Sequence, residues 1–279
     1  MADSPTFQGG TAANDTLTGG AGTDHLFGQG GADVLIGGGG DDNVNSGEYS
    51  DTNSPLGFRF DFIGDRLDGG EGNDLLVGGS GSDLLIGGAG TNRIEGGAGN
   101  DTAIYAGARS DYTVAMQNGV PAGVRSISGV SVSDTLASVE RLSFSDGAIA
   151  YDINGSAGDI YRLYRAAFDR VPDEGGLGFW ISVSDRNYSA PFIAGELMAS
   201  PEFIAKYGTS STNEQFLTNV YANILDRAYD QGGFDYWKGV LEGGLSRAEV
   251  LNHIAQSAEN RATVIGEIQT GIEYTLYTA

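Results

Sequence analysis

One apolar residue recurs every nine positions over the first third of the chain: Leu26, Leu35 and Val44, then, after an interruption, Leu67, Leu76, Leu85 and Ile94. The surrounding residues are glycine and small polar groups, as in GGAGTDHLF, GQGGADVLI and GGGGDDNVN from Gly19 to Asn45. Neither a helical period nor a long alternating strand fits this spacing. It predicts strands of about three residues, each turning one apolar side chain inward, joined by glycine turns. Glycine opens nearly every unit, as expected if the chain passes through positive φ there. Stacked two to a coil, such units build a parallel β-roll.

The apolar pattern changes twice more. From about Thr102 the period of nine gives way to short alternating runs, TAIYAG, DYTVAM, GVRSIS and VERLSFSDGAIAYDI. Asp146-Gly147 there is a hairpin signal. The open end of a parallel roll exposes backbone donors, so an antiparallel cap over 105–154 is expected. After Asn154 glycine thins out and helical periodicity begins, with Ile160, Leu163, Tyr164, Ala167 and Phe168 on one face and Ser156 as its cap. Ser200-Pro201-Glu202 and Thr212 with Gln215 read as further helix starts. The helical half also carries an internal duplication at a constant offset, without gaps. Tyr164, Asp169-Arg170, Asp173, Gly175-Gly176, Trp180, Ser189, Ser200 and Glu202 recur as Tyr221, Asp226-Arg227, Asp230, Gly232-Gly233, Trp237, Ser246, Ser257 and Glu259. Two three-helix copies with the Trp in the core, and the Asp-Arg pairs as structural ion pairs, are the expectation. The fold class is therefore multidomain β + α: a parallel β-roll over 1–104, a β cap over 105–154 and an all-α duplicated domain over 155–279.

The polar positions of the repeat carry the chemistry. An acid sits at the sixth place of nearly every unit, so acids two units apart face each other across stacked turns: Asp15 with Asp33, Asp24 with Asp42, Asp83 with Asp101. The register breaks after Asn45 and resumes best at Asp65, which implies an insertion at about 46–59. Asp33 then faces Asp65, and Asp42 faces Asp74. The insertion reads as a tolerated surface loop or as a contact loop carrying Glu48, Tyr49 and Asp51. Asn92 replaces one acid, which leaves an acceptor without charge and a weaker site against Asp74. Facing carboxylates repel, and a hard divalent cation relieves them; calcium accepts six to eight oxygens in flexible geometry. A disordered glycine-rich linker shares this composition but not the register of the acids.

Composition sharpens the picture. Net charge is −22, of which −13 lies in 1–104, −2 in 105–154 and −7 in 155–279. Such acidity argues against nucleic acid and anionic membrane surfaces as partners. There is no Cys, hence no disulfide, thiol nucleophile or zinc–thiolate site. No apolar run is long enough for a membrane span, and MADSPTFQGGTAANDT lacks the basic and apolar regions of a Sec signal peptide.

Over roughly 10–104 the G-G-x-G-x-D-x-U-x units resemble the RTX (repeats-in-toxin) calcium-binding family. The resemblance implies a right-handed roll, capping strands like those that close RTX modules in secreted proteases, and type I secretion to the cell exterior. It also implies ligand sets: carbonyls of places two and four plus the acid of one turn, with carbonyls of places one and three plus the acid of the turn above. Carried over, Gly20, Gly22 and Asp24 join Gly37, Gly39 and Asp42; Gly38, Gly40 and Asp42 join Gly69, Glu71 and Asp74; Gly79, Gly81 and Asp83 join Gly96, Ala98 and Asp101. The same places add Thr11, Ala13, Asp15, Gly28, Gly30, Asp33, Asp65, Gly70, Gly72, Gly78, Ser80, Gly87, Ala89 and Asn92. Over 156–265, Y-R-A-A-F-D-R-x-P-D-x-x-G-L-x-F-W and its echo resemble the bacterial domain of unknown function 4214, which is distantly similar to phycobilisome linkers and to anchoring domains of RTX surface-layer proteins.

No catalytic constellation emerges. His25 occupies an outward seventh place, His253 lies on a helix near Glu249, and neither H-E-x-x-H nor G-x-S-x-G occurs. A non-enzymatic, secreted calcium protein is expected. Its roll folds on calcium, and its helical domain contacts cell-surface glycan, lipopolysaccharide or a second copy in a surface-layer, adhesion or matrix role. The alternative is an accessory or carrier module for another type I-secreted protein; a secreted hydrolase ranks third.

Overall fold

Alternate units send their strands to opposite walls. The computed structural model describes residues 6–46, 64–208, 212–225 and 227–277. Its first ten strands are β1 (Phe7–Gly9), β2 (Thr16–Thr18), β3 (His25–Phe27), β4 (Val34–Gly39), β5 (Asn43–Asn45), β6 (Arg66–Glu71), β7 (Leu75–Ser80), β8 (Leu84–Ile86), β9 (Arg93–Ala98) and β10 (Thr102–Ile104). Odd-numbered strands pair in parallel along one sheet and even-numbered strands along the other. Partners lie two units apart before the interruption, Thr16 with Val34 and His25 with Asn43. Across it the same places still pair, Val34 with Arg66 and Asn43 with Leu75. The interruption therefore adds chain without shifting the register, as the spacing predicts. Ser46 still belongs to the roll: it is buried, its N–H donates to Val77 O and its hydroxyl to Gly78 O. The interruption thus starts later than the sequence suggests; its remainder, with Glu48, Tyr49 and Asp51, lies outside the described residues.

The eighth-place side chains Leu26, Leu35, Val44, Leu67, Leu76, Leu85, Ile94 and Ala103 form a buried column between the sheets. Each Leu contributes about 1.5–3 kcal/mol by leaving water. One such residue per unit is a thin core, and the backbone ladders alone do not offset chain entropy.

The cap differs from an antiparallel lid. Its strands are β11 (Tyr112–Gln117), β12 (Val120–Ser126), β13 (Ser133–Ala137), β14 (Arg141–Phe144) and β15 (Gly147–Ala150). Antiparallel pairs β11–β12–β13 and β14–β15 are present, the latter closing a hairpin at Ser145-Asp146. However, β13 pairs in parallel with β9, and β14 in parallel with β10. Both sheets of the roll thus continue one strand into the cap, and Leu136 and Leu142 extend its apolar column. GVSVSDTLA (129–137) even keeps Asp134 at the sixth place and Leu136 at the eighth, a signal legible in the sequence.

A second unit spans Asp152–Ala279. It holds α1 (Ser156–Phe168), α2 (Glu174–Asp185), α3 (Ala190–Ala199), α4 (Pro201–Tyr207), α5 (Asn213–Ile224), α6 (Gln231–Glu242), α7 (Arg247–Ala255), α8 (Ala258–Ile268) and the short strand β16 (Ile272–Tyr274). Each copy of the duplication contains four helices rather than three. Ser200 and Ser257 accept N–H bonds from Phe203 and Asn260, so each starts a helix of its own, at Ser200 as its Ser-Pro-Glu sequence predicts, and this adds the fourth helix to each copy. Asp173 and Asp230 cap α2 and α6 at matching places of the two copies, and Thr212 with Gln215 forms a capping box. Ser156 does not cap α1; Gly155 holds that position and Asp152 accepts the Ala157 N–H at 2.9 Å.

Two further expectations fail in this unit. Trp180 and Trp237 are half-buried rather than in the core, because the buried positions of α2 and α6 are Leu177, Ile181, Phe234 and Leu241. The Trp rings instead stand edge-on to exposed Phe179 and Tyr236. The Asp169-Arg170 neighbours do not pair with each other. Arg170 grips Glu202 at 2.7 and 3.0 Å, and Asp169 bonds Lys206 at 3.1 Å. Arg227 repeats the grip on Glu259 at 2.6 and 3.0 Å, whereas Asp226 lies outside the described residues.

Candidate metal centre

Two ladders of acids run along the roll, one at each edge where strand meets turn. In each, the N–H of one sixth-place residue donates to Oδ1 of the residue in the turn above. One edge reads Asp24 to Asp42 (2.8 Å), Asp42 to Asp74 (2.8 Å) and Asp74 to Asn92 (3.0 Å). The other reads Asp15 to Asp33 (2.8 Å), Asp33 to Asp65 (2.6 Å), Asp65 to Asp83 (2.7 Å) and Asp83 to Asp101 (2.9 Å). The facing pairs expected from the spacing are all brought together.

One oxygen of each acid is thereby used as a structural clamp. The second is not. Oδ2 of Asp42, Asp74, Asp83 and Asp101 is buried with no hydrogen-bond partner among the described residues. These oxygens converge on the opening glycines. A Cβ on Gly37, Gly69 or Gly78 would come within 3.0 Å of the acid's Oδ2 and of the carbonyl opening the turn above, at Gly69, Gly87 or Gly96. The opening glycine is thus required to leave a pocket of oxygens uncovered, and not for positive φ. Positive φ occurs instead at places two and four, as in Gly38 and Gly40, Gly70 and Gly72, Gly79 and Gly81.

The other anticipated carbonyls divide by place. Those of Gly22, Gly40, Gly72 and Gly81 face the next fourth-place glycine so closely that a Cβ there could not fit. Second-place carbonyls of Thr11, Gly20 and Gly70 accept N–H bonds from Gly30, Gly39 and Ala89; third-place carbonyls of Glu71, Ala89 and Ala98 accept from Gly40, Gly72 and Gly81. Gly38, Gly79 and Ser80 pair in the ladders with Gly70, Gly97 and Ala98, and the Ala13 carbonyl abuts Gly31. At Gly28 the oxygens meeting are Asp33 Oδ2 and the carbonyl of Ser46, a residue that sequence reasoning had assigned to the insertion. No cluster of three or more acidic or imidazole side chains suited to an ion occurs among the described residues. Each pocket has at most two acids, and main-chain oxygens supply the rest.

The first turns differ. Oδ2 of Asp24 accepts the Gly20 N–H at 2.6 Å, and Oδ2 of Asp15 that of Thr11 at 2.5 Å. Burial acts to raise the Asp24 carboxyl, but the Gly20 and Thr6 donors outweigh it and hold it below its ordinary value. Elsewhere the balance reverses. Burial, reinforced by Asp42, pushes Asp74 up to about 6; burial raises Asp42; burial with the charges of Asp101 and Asp65 raises Asp83; and burial with the charge of Glu140 raises Asp101. A buried carboxylate oxygen that has no donor and faces a carbonyl is where a bound cation would supply the missing positive charge. The hard oxygen set and pliable turns fit calcium, which neutralises the facing carboxylates when bound.

Sequence reasoning missed three participants. Asp134 lies opposite Asn92, whose Nδ2 donates to it at 2.9 Å. With Asn92 Oδ1 held by the Asp74 N–H, the amide's donor face points away from Asp74 and toward the cap. The substitution therefore closes the pocket above Asn92 with an NH₂ group, while the pocket below keeps an oxygen. Glu140 accepts the Asp101 N–H at 3.0 Å, and the Ser138 carbonyl approaches Gly96 beside Asp101 Oδ2.

The family model for the RTX calcium-binding nonapeptide repeat (4 copies) matches residues 9–44 and 65–103. That for the domain of unknown function DUF4214 matches residues 194–264, a narrower stretch than the resemblance over 156–265. No curated protein matches the chain. Among solved structures, the extracellular lipase LipA from Serratia marcescens matches with 18% identity and a TM-score of 0.20, over 50% of this chain and 38% of that one. The chain thus spans well under half the length of that lipase. With acids and carbonyls in register along both edges of the roll and the repeat model matching both segments of it, the chain carries RTX calcium-binding repeats over 9–44 and 65–103 and a DUF4214 domain over 194–264.

Proposed function

We propose that this is a secreted, non-catalytic RTX protein whose roll folds on calcium outside the cell and whose helical unit attaches it to cell-surface glycan. The observation that carries the attachment is a duplicated aromatic pair, each an exposed ring against a half-buried Trp. Phe179 with Trp180 and Tyr236 with Trp237 occupy matching places of α2 and α6, with ring centroids 5.0 Å apart in each pair. Tyr236 is 63% exposed, and Tyr188 at 50% packs at a tilt against Phe192 at 46%. Flat rings held at the surface match the apolar faces of sugars, with rim polar groups to fix orientation.

The folding role follows from linkage. Ions that bind only the folded roll stabilise it where they are abundant, and extracellular calcium modules work at dissociation constants of about 0.1–1 mM. No helix among the described residues is long and apolar enough to cross a membrane, so retention at a surface by this unit calls for a binding face.

The test is a glycan array and a cell-binding assay with the calcium-loaded full chain, alongside a Trp180→Ala/Trp237→Ala double variant. Binding to surface polysaccharide or lipopolysaccharide that the variant loses supports the reading. Association of the chain only with itself, or co-purification with another secreted protein and no glycan binding, would replace it with the assembly or carrier role.

A further inference from the structure

The repeats end at Ile104, but the acid ladder at the even-numbered edge does not. Parallel pairing of β10 with β14 places Thr102 opposite Arg141, so Glu140 falls opposite Asp101. The Asp101 N–H donates to Glu140 Oε2 at 3.0 Å, as the Asp83 N–H donates to Asp101 Oδ1 at 2.9 Å. Here the acceptor is a glutamate from the cap rather than the aspartate of a nonapeptide.

The oxygen pocket is repeated as well. Asp101 is fully buried, and its Oδ2 has no hydrogen-bond partner among the described residues. A Cβ on Gly96 would meet both that oxygen and the Ser138 carbonyl within 3.0 Å. In the repeats the matching carbonyl belongs to the opening glycine of the turn above, as Gly96 does for Asp83. Ser138 presents its carbonyl from φ 50°, a left-handed conformation rare outside glycine and held here by the surrounding turn. The charged groups beside Asp101 are Asp83 in the turn below, Glu140 and the buried Arg141.

The odd-numbered edge provides the contrast. There Asn92 Nδ2 donates to Asp134 Oδ1, and an amide occupies the equivalent pocket. One edge is closed by a neutral donor; the other ends on an unpartnered carboxylate oxygen.

We propose that a further calcium site lies at the junction of roll and cap, between Asp101 and Glu140, with the Ser138 carbonyl and Asp101 Oδ2 as ligands and Glu140 as the facing acid. It rests on the calcium reading of the repeats and is independent of the helical unit's partner. The ion ties β14 to β10, so ordering of the cap becomes calcium-dependent although the cap contains no matched repeat.

Glu140→Gln tests this, since Gln still accepts the Asp101 N–H but brings no charge. Bound calcium is counted by equilibrium dialysis of the full chain against saturating calcium. The variant is expected to hold one ion fewer than the parent, and its 138–142 amides are expected to exchange at least tenfold faster while those of Leu84–Ile86 keep their protection. Equal ion counts overturn the proposal. In the parent chain itself, protection of the 138–142 amides should rise with calcium alongside that of Leu84–Ile86. Protection unchanged by chelator overturns the proposal even if the variant fails to fold. No calcium bound to either chain would remove the calcium reading of the roll, and this site with it.

Discussion

Asp42→Asn should act with opposite sign in the presence and absence of calcium. The Asp42 carboxylate accepts the Asp24 N–H through Oδ1, and its own N–H holds Asp74, both at 2.8 Å. Asparagine preserves both bonds. Only Oδ2 changes: a buried oxygen without a donor becomes an NH₂ group facing the Gly69 carbonyl, as the Asn92 amide faces Asp134. An unsatisfied buried polar group costs about 1–3 kcal/mol, so the variant roll should gain roughly that in chelator. In calcium the same amide blocks ligation. An ion with a dissociation constant of about 0.1–1 mM contributes about 1.4–2.7 kcal/mol at about 10 mM calcium. Asp42 faces turns on both sides, so its loss should remove about 3–5 kcal/mol, two such ions together. Urea unfolding of the full chain separates the two units. Both Trp lie in the helical unit and report it by fluorescence, whereas the far-ultraviolet β signal and exchange of the Leu76 amide report the roll. A shift of the same sign and size in both conditions would refute the account of Oδ2 as a cation ligand.

Acid should order the metal-free roll and disorder the calcium-loaded one. Asp74 and Asp134 are both raised to about 6 by burial. Their contribution in chelator is therefore full below the unfolded value of 3.8 and lost as pH rises through about 6, an effect reduced by solvent around the turns. Calcium requires the carboxylate, so its midpoint should worsen as pH falls from 7 to 5; circular dichroism titrations at both pH values check this. Gly78→Ala places a Cβ against Asp83 Oδ2 and the Gly96 carbonyl and should cost about 1–3 kcal/mol by overpacking even without calcium. Gly239→Ala, in open space on α6, should instead stabilise by about 0.5–1 kcal/mol in thermal unfolding. Trp180→Ala should cost less than the about 3–5 kcal/mol of a core Trp, since the ring is only half-buried, and a loss in that range would return it to the core.

The sequence determined the repeat register, because a period of nine with one apolar and one acidic position admits a single stacking. The chain could only place Asp42 under Asp74 and carry the insertion outward, since a one-residue slip would expose Leu67 and bury its neighbours. The helix duplication was equally legible, as its caps are local. The tertiary structure alone decided the rest. It set the glycine roles, because whether a Cβ is excluded by φ or by a neighbouring oxygen depends on the turn stacked above. Asn92 points its amide nitrogen toward the cap because the Asp74 N–H claims its oxygen. Glu140 and Ser138 enter the ladder because β14 pairs with β10 over a long intervening stretch of chain, a separation no local period reports. Trp180 lies half-open because Leu177 and Ile181 had already filled the buried face of α2.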